Sequence, residues 1–100
     1  MGTSDAEFYG EAVLTKFAKR HPAARAPLQR FLVIARSALW PHFPAIKRTF
    51  PATDLGKRTG KLIFDIGGNK YRLIASVDFT EQALLIENVW SHEEYNRENL

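Results

Sequence analysis

The sequence predicts an α+β fold: an N-terminal helical hairpin packed on a small antiparallel sheet and closed by a short C-terminal helix. Three observations predict it. Apolar residues recur at helical spacing through residues 11–40, they alternate with polar neighbours from residue 62 onward, and a Ser-x-x-Glu pattern opens a last helical stretch at residue 91. One hundred residues suit one domain rather than two. We assign that domain to residues 8–100 and read residues 1–7 as a loose tail.

Glu11 to Arg20 reads as the first helix, with Val13, Leu14, Phe17 and Ala18 as its apolar stripe. Pro22 interrupts it. A second helix is expected from about Ala24 to Trp40, with Pro27 tolerated in the first turn, where no backbone donor is missed. Its buried face is drawn from Leu28, Phe31, Leu32, Ile34, Ala35, Ala38 and Leu39, and Pro41 stops it. Pro44 to Phe50 reads as one or two helical turns, and residues 52–60 as a loop.

Three strands follow. Leu62, Phe64 and Ile66 alternate inward; Gly67-Gly68-Asn69 is a turn that accepts positive φ cheaply. Tyr71, Leu73, Ala75, Val77 and Phe79 alternate along the second strand, and Ala83 to Val89 forms the third. Ser91 and Glu94 make a capping box for the terminal helix, which puts His92 in its first turn and Tyr95 on the same face.

The absence of cysteine excludes disulfides and thiolate metal sites and suits a reducing compartment. No apolar run approaches the ~20 residues that span a membrane, and the amino terminus lacks the pattern of a secretory signal. A cytoplasmic protein is expected. The formal net charge is +3. Its distribution is uneven: residues 1–79 carry thirteen Lys and Arg against six Asp and Glu, whereas residues 80–100 carry one against five. A basic body suits a polyanion, because phosphate neutralisation releases counterions, but a solvated surface explains the same charge.

Lys70 and Arg72 stand two apart on a strand, so they are expected on one face, either as convergent cations that hold phosphate or as a solvated strand face. His92 is the histidine best set for proton transfer, while His21 and His42 read as surface or packing residues. Tyr95 can donate to a phosphate oxygen, stack on a base, or anchor the terminal helix. Trp40 and Trp90 read as core aromatics, Trp90 being the more exposed. Lys47, Arg48, Lys57, Arg58 and Lys61 concentrate around the central loop, as an RNA-guiding rim or as a solvated loop. No nucleotide-binding glycine loop, metal-spaced histidine pair or nucleophile motif is present, and no cofactor is expected.

The stretch from Phe17 to Tyr95 resembles the HigB toxins of bacterial type II toxin–antitoxin modules, within the RelE-like ribonucleases. The resemblance rests on Phe17-Ala18-Lys19-Arg20-His21-Pro22-Ala23-Ala24, Ser37-Ala38-Leu39-Trp40, Ile46-Lys47 and Phe50-Pro51. Most specific are Phe64-Asp65-Ile66-Gly67-Gly68-Asn69-Lys70-Tyr71-Arg72-Leu73 and Ser91-His92-Glu93-Glu94-Tyr95. It implies a metal-independent mRNA endonuclease that acts on the translating ribosome. It also implies a cognate helix-turn-helix antitoxin of the HigA type, with operator DNA bound only through that antitoxin. Ribose 2′-hydroxyl attack would leave a 2′,3′-cyclic phosphate and a 5′-hydroxyl. Carried over by position, Arg72 would stabilise the phosphorane charge, His92 would transfer a proton, and Tyr95 would orient phosphate or base. Lys61 and Lys70 would bind the RNA backbone. Many such toxins have an arginine on the final strand where this chain has Glu87, Ser91 stands where threonine is commoner, and Asn96 replaces a frequent aspartate. Glu87 motivates an alternative: a toxin-like module that binds RNA, ribosome or antitoxin without cleaving. A third reading is a basic domain whose partner is another protein. The family's first strand would correspond to Glu7-Phe8-Tyr9.

Overall fold

A computed structural model describes residues 7–38 and 40–97. The element order is β1 (Glu7–Tyr9), α1 (Glu11–Arg20), a 3₁₀ turn (Pro22–Ala24), α2 (Arg25–Arg36), α3 (Phe43–Thr49), β2 (Asp54–Leu55), β3 (Leu62–Ile66), β4 (Tyr71–Asp78), β5 (Ala83–Ser91) and α4 (His92–Arg97). The α+β architecture is as expected, with helices on one side of the sheet and a short helix at its end. The sheet is larger and mixed: five strands in the order β1-β5-β4-β3-β2. The expected meander β3-β4-β5 is antiparallel, and β1 adds to β5 in parallel, Glu7 opposite Ala83 and Tyr9 opposite Leu85. β1 falls on Glu7-Phe8-Tyr9, where the resemblance puts the family's first strand; residues 1–6 lie outside the described residues.

Gly10 turns the chain from β1 into α1 at φ +86°, a left-handed conformation that glycine adopts without a Cβ penalty. A Cβ there would also press into the Ile86 carbonyl oxygen of β5. α1 carries Glu11 in its first turn and Lys19 and Arg20 in its last, as the helix dipole favours, and buries Leu14 and Phe17. α2 buries Leu28, Phe31 and Ala35, and its Arg36 pairs with Glu11, so the two helices run antiparallel.

α2 ends at Arg36 rather than near Trp40. The Ser37 hydroxyl donates back to the carbonyls of Val33 and Ile34. Beyond it, Gln82 brackets the Trp40 backbone. Its Oε1 accepts from Trp40 N at 3.2 Å and its Nε2 donates to Trp40 O at 2.9 Å. This contact across 42 residues holds Trp40 out of the helix and its ring in the core. Leu39, expected on the buried face, lies outside the described residues. The His42 Nδ1 caps α3 by accepting from Ala45 N at 3.3 Å. β2 falls where a loop was expected; two exposed residues carry no periodicity, and their pairing is supplied by Ile63 and Leu62.

The core lies between the helices and one face of the sheet. Phe17, Phe31, Ile46, Leu62, Phe64, Leu73 and Leu84 are buried there, and Phe31, Trp40 and Phe50 pack around Phe64 with ring centroids 4.9–6.3 Å apart. Side chains alternate along strands, so Lys61, Ile63, Asp65, Arg72, Ile74 and Ser76 occupy the other, outer face. Ile63 and Ile74 are opposite one another there and almost fully buried, at 4% and 1% exposure, yet stand apart from the helical core.

Candidate active site

The outer face gathers the chemistry at its end nearest α4. Register places Arg72 opposite Asp65 on one side and Trp90 on the other. The Arg72 guanidinium is held from several directions: Nε lies 3.2 Å from Asp65 Oδ1, and Nη1 donates to the carbonyls of Asn69 (2.8 Å) and Tyr71 (3.3 Å). Its side chain is only 11% exposed. Such multidentate anchoring pre-organises an arginine and leaves little rotamer entropy to lose on binding.

The turn after β5 brings in the other two groups. The capping box forms reciprocally, Ser91 N donating to Glu94 Oε1 at 2.8 Å and Glu94 N donating to Ser91 Oγ at 3.2 Å. The Ser91 backbone N–H holds the Glu94 carboxyl below its ordinary value. Burial opposes the shift, and the Ser91 side chain with the nearby Arg20 and His21 assists it. His92 N donates to Lys70 O at 2.9 Å, which ties the helix start to the glycine turn. His92 Nδ1 consequently lies 3.5 Å from Arg72 Nη2, and the Tyr95 ring lies over the guanidinium with Arg72 Cζ 5.3 Å from its centroid. Arginine only donates, so the contact is a hydrogen bond in the tautomer whose Nδ1 is free to accept.

Arg72, His92 and Tyr95 are therefore brought together. The other cations fare differently. Lys70 stands in the turn before β4 rather than on the strand with Arg72, and is exposed. Lys57 and Arg58 are exposed on the β2–β3 connection. Lys47 and Arg48 belong to α3, whose Ala45 and Ile46 join the helical core, and Lys47 Nζ donates to Thr53 O. Lys61 is on the outer face but forms a salt bridge with Glu87. Of the remaining rings, His21 stacks on Phe17 at 4.4 Å and Trp40 is a buried core residue whose Nε1 donates to Thr49, while Trp90 is half-buried opposite Arg72.

Two participants escaped sequence reasoning. Asp65 lies within the Phe64–Leu73 motif, but local pattern gives it no role; hairpin register sets it opposite Arg72, seven residues on. Ser76 gave no local signal. It donates to Glu87, which also accepts from Lys61. These two hydrogen bonds, Lys61 first, hold the Glu87 carboxyl below its ordinary value against the opposing effect of burial.

A groove of about 500 Å³ runs between α1 and α2 and touches none of Arg72, His92 or Tyr95. The candidate site is instead the end of the outer sheet face nearest α4, where Arg72, His92 and Tyr95 meet. Among the described residues no group of three or more His, Cys, Asp or Glu is placed to hold a metal ion, and no helix is long and apolar enough to cross a membrane.

Residues 24–98 match the HigB_toxin family, described as the RelE-like toxic component of a toxin-antitoxin system. The chain belongs to this family. The matched segment contains every side chain of the Arg72–His92–Tyr95 cluster. Curated relatives are "mRNA interferase toxin HigB" of Escherichia coli (strain K12) and "mRNA interferase HigB" of Escherichia coli O157:H7 and of Shigella flexneri. Each is 38% identical over 53 residues, covering 52% of this chain and 51% of the relative. The match thus spans about half the length of these HigB relatives. The helices, mixed sheet and terminal helix are consistent with the RelE-like description.

Proposed function

We propose that this HigB-family protein is the toxin of a type II toxin–antitoxin module and an endoribonuclease that cleaves mRNA on the translating ribosome without a metal ion. The observation that carries this reading is the convergence of His92 and Tyr95, from α4, on Arg72 of the outer sheet face. The relatives' names support mRNA as the substrate.

In this reaction the ribose 2′-oxygen attacks the adjacent phosphorus while the bond to the 5′-oxygen breaks. The 2′-hydroxyl proton is removed, the 5′-oxygen is protonated, and a 2′,3′-cyclic phosphate remains. Arg72, fixed by Asp65 and the turn carbonyls, stabilises charge on the phosphorane; one such donor contributes about 10²–10³-fold. His92 transfers one of these two protons, a role worth roughly 10²–10⁴-fold, and solvent water takes up or supplies the other. Tyr95 orients the phosphate or base beside the guanidinium. Lys70, Lys57 and Arg58 are exposed cations suited to guiding the RNA backbone, with Lys47 and Arg48 as more distant contributors and Lys61 beside the site. A helix-turn-helix antitoxin of the HigA type would neutralise the toxin in the cytoplasm and carry any operator DNA binding.

Expression should arrest growth, co-expression of the antitoxin should relieve the arrest, and primer extension should reveal new mRNA ends. Arrest without new ends would favour the alternative of a binding module that does not cleave. Glu87 motivates that alternative, and its salt bridge with Lys61, which offsets the carboxylate's charge, supports the cleaving reading.

A further inference from the structure

β4 and β5 lose register between Ile74 and Ala75: Asn88 is opposite Ile74 and Ile86 opposite Ala75, so Glu87 is the extra residue of a β-bulge. The bulge aims its carboxylate onto the outer face, where Lys61 and Ser76 each donate to one oxygen. Glu87 stands three residues before Trp90, the register partner of Arg72, roughly 10 Å along the strand. That is within one nucleotide's reach of a phosphate held at Arg72.

Given the ribonuclease reading above, we propose that Glu87, oriented by Lys61 and Ser76, forms a subsite that reads the base next to the scissile linkage and selects amino-bearing bases (adenine, cytosine, guanine) over uracil. Lys61 cancels the Glu87 charge, so this patch offers no net attraction to phosphate. It is a polar acceptor beside a cation, which suits a base edge. A carboxylate has about four lone-pair sites, and two are taken here. The others can accept from an exocyclic amine. Uracil has no such amine; its one ring N–H is flanked by two carbonyl oxygens that would face the carboxylate. The side chains of Lys61 and Glu87 are 36% and 21% exposed, so the subsite is open to a ligand. The lowered pKa keeps Glu87 an acceptor at neutral pH.

The test uses ribosomes programmed with mRNAs that differ by one base on either side of the cleaved bond. In parallel, the His92→Ala protein is titrated with short RNA oligonucleotides carrying the same changes, read by fluorescence anisotropy. Wild type should disfavour uracil at one flanking position by about tenfold, and Glu87→Gln, whose amide can donate to a carbonyl, should bring that ratio near one. An unchanged ratio in Glu87→Gln, or equal use of all four bases by wild type, overturns the subsite while leaving ribonuclease activity standing. If no mRNA is cleaved, the ribonuclease reading fails, and the oligonucleotide titration decides the subsite by itself: equal affinities overturn it. Should Glu87→Gln not fold by circular dichroism, Ser76→Ala, which removes one of the two hydrogen bonds that orient the carboxylate, must lower the ratio severalfold; no change overturns the proposal.

Discussion

Asp65 and Arg72 face one another across β3 and β4, and Asp65 Oδ1 lies 3.2 Å from Arg72 Nε. The carboxylate takes the inner edge of the guanidinium and leaves Nη2 toward His92. In the proposed reaction Asp65 would act only through Arg72, as a positioning residue. Asp65→Asn should lower cleavage about tenfold, less than Arg72→Ala, which should lose roughly 10²–10³-fold. Single-turnover cleavage of ribosome-bound mRNA checks the order; a larger loss for Asp65→Asn than for Arg72→Ala would remove Arg72 from its central role.

His92 is exposed and its side chain is not part of the core. His92→Ala should reduce cleavage by about 10²–10⁴-fold while leaving the melting temperature within a degree or two. Calorimetry beside the cleavage assay separates the two effects, and unchanged toxicity in cells would refute the assignment.

The capping box places that histidine. Ser91→Ala removes the hydroxyl that accepts from Glu94 N, and should cost about 1 kcal/mol, or roughly 4–8 °C in a domain of this size. Cleavage should fall as well, because α4 carries both His92 and Tyr95.

Acid should destabilise the fold through Glu87 and Glu94. Both carboxyls have folded-state pKa values below the ordinary 4.5. The unfolded chain then binds protons more readily, so their contribution is fully present above that ordinary value and is lost as pH falls through the folded values. Denaturant melts between pH 7 and pH 3 should show this loss, and it should be smaller in the Glu87→Gln, Glu94→Gln double variant.

Gly10→Ala tests the junction of β1 and α1. The left-handed backbone costs a non-glycine residue about 1–2 kcal/mol, and the added Cβ meets the Ile86 carbonyl oxygen. A fall in melting temperature of at least about 4 °C is expected; an unchanged value would mean that the junction rearranges freely.

Much of this architecture is legible in local pattern. The α1 stripe ending in Leu14 and Phe17, the alternation of Leu62, Phe64 and Ile66, the glycine turn and the Ser91–Glu94 box each depend on residues a few positions apart. All of them form. Where contacts are distant, the pattern misleads or is silent. α2 stops early because Gln82 captures Trp40, and β2 exists because β3 offers it an edge.

The sequence by itself determined α1, the three antiparallel strands β3, β4 and β5, the placement of His92 beside Tyr95 at a helix start, and the likeness to a toxin family. Only the tertiary structure decided that Asp65 buttresses Arg72, that Lys61 neutralises Glu87, and that β1 closes the sheet against β5. Periodicity and capping are written within one or two turns of chain. The meetings of Asp65 with Arg72 and of Lys61 with Glu87 depend on strand register and on a bulge, which core packing sets across the whole domain.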